Sequence, residues 1–409
     1  MSSYSREFRA ALFFRRSGRL NNRAHFRGVA VKFLVFSDDW GEHPSSCQHL
    51  FKILTDLHPT IWVNTVGLRV PGFNLNDAIK SFRKLSAMLS TPSRDIQGNE
   101  QSKPIVCVPP MTPFHSPQWL ANWNNNSLKN NVLKELAQQG FDDFTIITTT
   151  PSVCDVVSQL GASKIIYYCV DDFSEWPGME KQVILDLENR LLQHTNAVIC
   201  TSQNLYEKFK DNYPTYLLKH GVDLELFSSP AFAEHPSLAA IPAPRVGYFG
   251  NIDQRSDFQF LQKLALALPY VSFVFTGPVQ ANISNLKMHP NIYFTGPIPY
   301  EELPSVVEGW EACLLPYHLN GLTRNINPLK LKEYLATGKP VIATPLPDVC
   351  ELSEFVKIIE ARNIAGWRDA IDDAISGRWI PDQLAISKFL ANESWTRKAD
   401  IFLRICQVI

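Results

Sequence analysis

Runs of consecutive apolar residues alternate along the chain with segments of helical periodicity. In the first half, six apolar runs predict strands at Val31–Ser37, Thr60–Val66, Pro104–Val108, Phe144–Thr149, Lys164–Val170 and Ala197–Thr201. Helical periodicity separates them, as at Ser46–Leu57, Asn130–Gln139 and Val183–Gln193. Near-continuous apolar strands that alternate with helices indicate a parallel sheet covered on both faces.

A segment rich in Pro, Ser and Ala, Leu226–Pro244, interrupts this alternation and predicts a linker. Strand-like runs then resume at Arg245–Gly250, Val271–Gly277, Asn291–Thr295, Ala312–Pro316, Pro340–Thr344 and Val356–Glu360. The pattern therefore predicts an α/β protein with two Rossmann-like domains facing across a cleft, where ligands bind at the carboxyl ends of strands. The predicted parts are a basic arm (1–30), a first domain (31–225), the linker (226–244), a second domain (245–390) and a C-terminal helix (391–409).

Composition excludes several classes of protein. Hydrophobic residues make up 45% of the 409 residues and charged residues 19%, which excludes general disorder. The formal net charge of −1 argues against a nucleic-acid-binding protein that relies on bulk electrostatics, although it leaves a local basic patch open. No apolar run approaches the roughly 18 residues of a membrane-spanning helix. Eight scattered cysteines without a C-x-x-C pair predict buried, reduced thiols and a cytoplasmic location.

The first 30 residues differ from the rest, since they hold seven arginines and a single acid, Glu7. One interpretation is an arm that contacts anionic lipid headgroups, which would make the protein peripheral at the inner face of the membrane. The other is a tail without fixed structure, or a start codon placed too early.

The segment NINPLKLKEYLATGKPVIAT carries the most information. Asn327 is a plausible N-cap, Pro328 fits the first helical position, and Gly338 fits the residue just past the helix end. The start of this helix would offer unpaired N–H groups to a phosphate. Lys330 would add a positive charge there, and Glu333, one turn on, could accept hydrogen bonds from ribose hydroxyls. The alternative is that Lys330 and Glu333 form a solvated pair on the helix surface.

This segment closely resembles the donor-binding segment of GT-B glycosyltransferases, in particular bacterial enzymes of glycosyltransferase family 4 (group 1). The resemblance extends to His220-Gly-Val-Asp223, Gly247-Tyr-Phe-Gly250, Phe275-Thr-Gly-Pro278 and Phe294-Thr-Gly-Pro-Ile-Pro299. It implies a GT-B fold whose C-terminal helix crosses back to the first domain. It also implies a transferase that uses a nucleotide-sugar donor, most often UDP-linked, without a cofactor or a catalytic metal.

Roles carried over from the family concern the donor. The resemblance places the diphosphate at Gly250 and Lys330, with Arg255 also directed at phosphate unless it is simply a surface charge. It places the ribose at Glu333 and the nucleoside base near Gly277 and Ile298. The sequence departs from the family at Asn325, where many members have a glutamate that contacts the sugar. That departure leaves the donor sugar and a retaining outcome open, and it lends weight to a non-catalytic subunit as an alternative.

Acids and serines at the ends of first-domain strands are the candidates on the acceptor side. Asp171 and Asp172 follow a buried strand, and either could be the base that deprotonates an acceptor hydroxyl. The position of Asp171 resembles that of the catalytic aspartate in GT-B glucuronosyltransferases, which favours Asp171 as the base. The alternative for both acids is a capping role in the loop. Ser45 or Ser46 would cap the helix after the first strand, and His43 could contact substrate.

The sequence therefore predicts a glycosyltransferase that acts on a glycan or a lipid-linked acceptor in surface polysaccharide biosynthesis. A nucleotide-sugar epimerase and a non-catalytic glycan- or partner-binding subunit are the alternatives. No metal-ligand cluster is recognisable in the sequence.

Overall fold

A computed structural model describes residues 30–42, 44–65, 103–112, 118–229 and 233–409 of the chain. His43 and nearly all of the predicted basic arm lie outside the described residues. The described chain forms two compact units. The N-terminal unit comprises residues 30–201, 205–218 and 399–409, and the C-terminal unit comprises residues 202–204 and 219–398.

The described part of the N-terminal unit has a sheet of seven parallel strands in the order β3-β2-β1-β4-β5-β6-β7. The strands are β1 (Phe33–Ser37), β2 (Thr60–Asn64), β3 (Ile105–Cys107), β4 (Thr145–Thr148), β5 (Lys164–Cys169), β6 (Ala197–Cys200) and β7 (Thr215–Leu217). Helices separate them: α1 (Ser46–Leu54), α2 (Gln118–Gln139), α3 (Cys154–Val157), α4 (Lys181–Leu192) and α5 (Gln203–Phe209). Every strand predicted in this half is present, and β7 was not predicted because its three residues are all partly exposed.

The described part of the C-terminal unit has a sheet of six parallel strands in the order β10-β9-β8-β11-β12-β13. The strands are β8 (Arg245–Phe249), β9 (Ser272–Thr276), β10 (Ile292–Gly296), β11 (Ala312–Leu315), β12 (Val341–Ala343) and β13 (Lys357–Ile358). The helices are α6 (Leu224–Phe227), α7 (Phe258–Ala267), α8 (Leu303–Glu308), α9 (Gly321–Arg324), α10 (Leu329–Ala336), α11 (Pro347–Cys350), α12 (Ile364–Ile375), α13 (Gln383–Leu390) and α14 (Trp395–Val408).

Helix α14 begins in the C-terminal unit and continues in the N-terminal unit. Its Phe402 is fully buried, with ring-centroid distances of 5.9 Å to Phe51 and 5.8 Å to Tyr168. Lys164 also donates a hydrogen bond of 3.0 Å to the carbonyl oxygen of Cys406. The last helix is thus part of the core of the first unit, as the resemblance implied.

Two details differ from the expectations. The segment predicted as a linker contains a 3₁₀ turn, Pro236–Leu238, and Leu238 is fully buried in the core of the C-terminal unit. Seven cysteines are buried and free, as predicted, but Cys350 is exposed. Among the described residues, no helix is both long enough and apolar enough to cross a bilayer.

Candidate functional site

The strand order of the C-terminal sheet reverses between β8 and β11: the chain continues from β8 to β9 and β10 on one side, and from β11 to β12 and β13 on the other. In open α/β sheets, ligands bind at such a switch point, outside the carboxyl ends of the strands. The loops that leave β8 and β11 are joined by two backbone hydrogen bonds: His318 N donates to Arg255 O (2.8 Å) and Asp257 N to Pro316 O (2.9 Å). The predicted residues Gly250 and Arg255 lie in the first of these loops.

Gly250 and Gly277 bring two loop backbones into direct contact. Both have a positive φ, +116° and +138°, which side chains with a Cβ rarely adopt. A Cβ on Gly277 would lie 2.2 Å from the carbonyl oxygen of Gly250. A Cβ on Gly250 would lie 2.6 Å from Nζ of Lys330. The structure therefore brings Gly250, Gly277 and Lys330 together at the switch point.

Lys330 extends from the first turn of α10 into a pocket of aromatic hydroxyls. Its Nζ donates to the hydroxyls of Tyr248 (2.7 Å) and Tyr317 (3.0 Å) and lies 4.1 Å from the ring centroid of Tyr248. No carboxylate pairs with this ammonium group within the described part of the chain. Burial lowers the pKa of Lys330. Burial alone would raise the pKa of Tyr317, but the charges of Lys330 and Arg255 outweigh it, so that pKa is lowered. A buried cation without an acidic partner is suited to an anionic ligand.

Arg255 lies beside this group, with its guanidinium 5.9 Å from the ring centroid of Tyr317. Its side chain is 18% exposed, so it is not a freely solvated charge. Both carboxylate oxygens of Asp253 accept hydrogen bonds from it, at 2.9 Å from Nε and 2.7 Å from Nη2. Asp253 thus orients Arg255 and offsets its charge.

Glu333, one turn after Lys330 on α10, is also buried. Its Oε1 accepts a hydrogen bond of 2.7 Å from the Tyr300 hydroxyl. Burial raises the pKa of Glu333 to about 7, against the lowering effects of Tyr300 and Lys330. Because both residues are buried and Glu333 bonds Tyr300, the alternative of a solvated Lys330–Glu333 surface pair is wrong.

The start of α10 differs in detail from the prediction. Pro328, not Asn327, occupies the cap position, and no side chain caps the helix. Asn327 instead donates to Asp348 Oδ2 (2.7 Å) and accepts from the backbone N–H of His220 (3.2 Å). The first-turn N–H groups of α10 are therefore left without a capping side chain. Gly338 follows the helix with φ +75°, as predicted.

The two remaining donor-side candidates lie on neighbouring loops. Ile298 follows β10 and is half-buried against the hydrophobic core of the unit. Asn325 ends the short helix α9, and its carbonyl oxygen accepts a hydrogen bond of 2.6 Å from Ser202 Oγ.

The switch point of the N-terminal sheet lies between β1 and β4, so the loop after β1 reaches it. Ser45 caps α1, and its hydroxyl donates to Asp38 Oδ1 (3.0 Å). Asp38 Oδ2 accepts from Gln48 Nε2 (2.8 Å), which ties the loop to the helix. Ser46 begins α1 and is buried. Asp38 was not predicted as part of this network, although it immediately follows the strand.

The two acids after β5 have different environments. The Asp172 carboxylate accepts hydrogen bonds from Ser174 N (3.2 Å) and Oγ (2.7 Å), so it caps the following 3₁₀ turn. It also lies 3.5 Å from Lys208 Nζ, which forms an ion pair of 2.8 Å with the buried Glu188. Asp171 is half-buried, and its carbonyl oxygen is 3.6 Å from Cys169 Sγ. The Asp172 carboxylate thus caps the turn that follows β5.

Sequence reasoning missed the tyrosines that surround Lys330 and Glu333. Tyr248 stands inside the Gly247–Gly250 motif, and Tyr317 follows the strand run at Ala312–Pro316. Their positions beside strand ends were the available signal. Their convergence on one lysine depends on tertiary packing, which spacing does not reveal.

Comparison with known proteins agrees with this geometry. Residues 243–376 match the family model for glycosyl transferases group 1. The matched segment runs from β8 to α12 and includes Gly250, Lys330 and Glu333.

A curated relative matches part of the chain. It is the "Putative teichuronic acid biosynthesis glycosyltransferase TuaH" of Bacillus subtilis, which is 29% identical over 184 residues. The match covers 42% of this chain and 46% of the relative, that is, about half of its length.

Solved structures resemble nearly the whole chain. Sucrose-phosphate synthase from Thermosynechococcus elongatus has a TM-score of 0.66 at 15% identity, covering 92% of this chain and 98% of that one. Anabaena Alr3699/HepE, solved with UDP and glucose, has 0.64 at 14%, covering 92% and 99%. A trehalose-6-phosphate protein from E. coli bound to UDP-2-fluoro glucose has 0.61 at 12%, covering 92% and 99%. At these identities the likeness establishes the fold, and the prediction of a GT-B α/β architecture is confirmed.

Proposed function

We propose that the protein is a glycosyltransferase that moves a sugar from a nucleotide-sugar, UDP-linked, to a glycan or lipid-linked acceptor in surface polysaccharide biosynthesis. The observation that carries the proposal is the buried ammonium of Lys330. It lies at the switch point of a parallel sheet, held by two tyrosine hydroxyls and by no carboxylate of the described chain. A diphosphate supplies the negative charge that this environment lacks.

The donor diphosphate would bind at the start of α10. Lys330 would contact phosphate oxygens directly, and the uncapped N–H groups of the first turn would add backbone donors. Gly250 leaves room for the Lys330 ammonium, because a Cβ there would lie 2.6 Å from Nζ. Without a side chain, the backbone at Gly250 would also be able to approach the diphosphate closely. Arg255, fixed by Asp253, would add a second positive charge. These groups would offset the charge that develops on the leaving diphosphate without a metal ion.

The ribose, the nucleoside base and the transferred sugar of the donor would contact α10 and the neighbouring loops. Glu333, ionised above about pH 7, would accept hydrogen bonds from the ribose hydroxyls. Gly277 and Ile298 would border the nucleoside base. Asn325, an amide where many family members have a carboxylate, would hydrogen-bond hydroxyls of the transferred sugar.

The acceptor would bind to the N-terminal unit. The acceptor oxygen forms a bond to the anomeric carbon while the bond from that carbon to the diphosphate breaks, and the acceptor proton passes to a base. Asp171 is the better candidate for this base, since the Asp172 carboxylate is already used by Ser174 and Lys208. Ser45 and Ser46, with His43 in the same loop, would orient the acceptor.

The comparisons support the chemical class of the two substrates. Two of the similar structures were solved with UDP or a UDP-sugar analogue, and the curated relative is described as a teichuronic acid biosynthesis enzyme. We extend this by analogy to a UDP-sugar donor and a polysaccharide acceptor, used in the cytoplasm at the inner face of the membrane.

Binding of UDP tests the donor site. Lys330→Met keeps most of the apolar stem of the side chain but removes its ammonium group and therefore its charge. We expect UDP affinity by calorimetry to fall about 10- to 150-fold, as for a lost hydrogen bond to a charged group of about 1.5–3 kcal/mol. Lys263→Met, at an exposed lysine of α7 in the same unit, is the matched control and should bind UDP normally. Equal affinity of the Lys330 variant and the control would remove Lys330 from the site.

Product analysis separates the transferase from its alternatives. A transferase releases free UDP together with an acceptor enlarged by one sugar. An epimerase would return an altered UDP-sugar and no free UDP. A non-catalytic subunit, the alternative raised by Asn325, would bind UDP and turn over no acceptor.

A further inference from the structure

An open groove of about 510 Å³ lies on the helical layer of the N-terminal unit. This size falls within the roughly 300–1,000 Å³ typical of small-molecule sites. The groove is formed by α2, by α3 with the residues after it, and by the end of α4. The acids and serines considered above follow β1 and β5, so the groove is built from other elements. Its lining includes Asn122, Asn125, Asn126, Asp155, Gln159 and Arg190.

Side-chain amides dominate this lining. Each amide offers both a hydrogen-bond donor and an acceptor, as a sugar hydroxyl does. Asn122 and Asn126 are exposed on α2, and Asn125 Nδ2 donates to Asp155 Oδ2 (3.2 Å). Asp155 also forms an ion pair with Arg190, so the two charges cancel locally. The groove therefore presents a neutral surface of hydrogen-bonding groups.

The helix that carries these asparagines also carries two exposed tryptophans, which are not among the residues that line the groove. Trp119 and Trp123 lie on α2 with 66% and 46% of their surface exposed. Helical periodicity places Trp119 one turn before Asn122, and Trp123 one turn before Asn126. The faces of large aromatic rings can stack on apolar surfaces of a ligand.

We propose that this groove is a second, non-catalytic binding site for a neutral oligosaccharide of hexose or N-acetylhexosamine units. The tryptophans would stack on the apolar C–H faces of sugar rings, and the asparagines would exchange hydrogen bonds with the hydroxyls. Such a site would hold a glycan chain apart from the reacting sugar. The proposal does not rest on the transferase assignment, because the groove needs no donor nucleotide to bind a glycan.

Binding of cellopentaose, maltopentaose and chitopentaose to the full-length protein tests the site. Saturation-transfer NMR and calorimetry are carried out without nucleotide. We expect at least one of the three to bind, and Trp119→Ala and Asn126→Ala each to weaken that binding about fivefold or more. Both side chains are exposed, so unchanged thermal melting should confirm that the variants fold.

Matched controls isolate the groove. Gln138→Ala changes an exposed amide about three turns further along α2, and Leu384→Ala removes an exposed apolar side chain of the C-terminal unit. Both should bind the oligosaccharide as the unchanged protein does. The proposal is overturned if none of the three oligosaccharides binds, or if the groove variants bind as the controls do. It is also overturned if Trp119→Ala changes only the sedimentation coefficient, since the surface would then be a protein contact.

Discussion

Replacement of Gly277 by alanine should disable the proposed donor site through a clash between two loop backbones. The new Cβ would lie 2.2 Å from the carbonyl oxygen of Gly250, more than 1 Å closer than the 3.4 Å at which ordinary contacts begin. The obstacle is backbone, so no side chain can rotate away. The loop that carries Gly250 must therefore move by about 1 Å relative to Lys330.

The magnitude has two parts. The φ of +138° at Gly277 is unfavourable for alanine and should destabilise the fold by about 1–3 kcal/mol. A displacement of about 1 Å in a site that positions a reacting group can reduce the rate about 100-fold. We therefore expect the variant to lose both thermal stability and activity with the nucleotide-sugar donor. The loss of activity is the effect that we attribute to the contact with Gly250.

Gly377→Ala is the control that separates the two parts. Gly377, after α12 in the same unit, also has a positive φ, +70°, but a Cβ there would meet nothing within 4 Å. Both variants should melt at lower temperature, but only Gly277→Ala should lose UDP affinity by calorimetry and UDP release in the transfer assay. Normal UDP affinity in the Gly277 variant, or an equal loss in both, would refute the reasoning.

Three further predictions concern the charged groups. Burial raises the pKa of Glu333 from 4.5 to about 7, so the unfolded chain loses this proton first and stability falls as pH rises between these values. The difference in the free energy of unfolding between Glu333→Gln and the unchanged protein, measured by urea titration, should therefore shift by about 3 kcal/mol in favour of the variant from pH 4 to pH 8. A difference that does not depend on pH would contradict this. Asp171→Asn should abolish transfer, measured as acceptor extension, with UDP affinity retained; a fully active variant excludes it as the base. Tyr317→Phe should lower the urea midpoint, because it removes a hydrogen-bond acceptor of Lys330. In a protein that already carries Lys330→Met, the same Tyr317→Phe substitution should lower the midpoint much less.

The sequence predicted the parts of the molecule in which local pattern and tertiary role coincide. Apolar runs such as Lys164–Val170 became buried strands because a strand covered on both faces needs apolar residues at successive positions. Gly338 was identified because a helix end requires a left-handed residue.

Residue spacing did not predict the partners of side chains that bond residues distant in sequence. Asn327 fits the sequence rule for an N-cap, yet its amide bonds Asp348 and the His220 backbone, which are distant in sequence. Tyr300 lies 33 positions from Glu333, and no periodicity links the two. Such partners are fixed by the packing of loops at the sheet edge, which a single sequence does not specify.

The arrangement around Lys330 has a direct physical interpretation. A buried ammonium that is held by neutral hydroxyls loses hydration that two tyrosines replace only in part, so the free protein is less stable than it would be with an apolar residue there. A nearby carboxylate would remove this penalty but would also compete with an anionic ligand. The nearest available acid on the same helix, Glu333, bonds Tyr300 instead, and Asp253 is used by Arg255. Both of these carboxylates are thus bonded to other side chains and form no ion pair with Lys330 in the described chain, which leaves the ammonium group suited to an anionic ligand such as the proposed diphosphate.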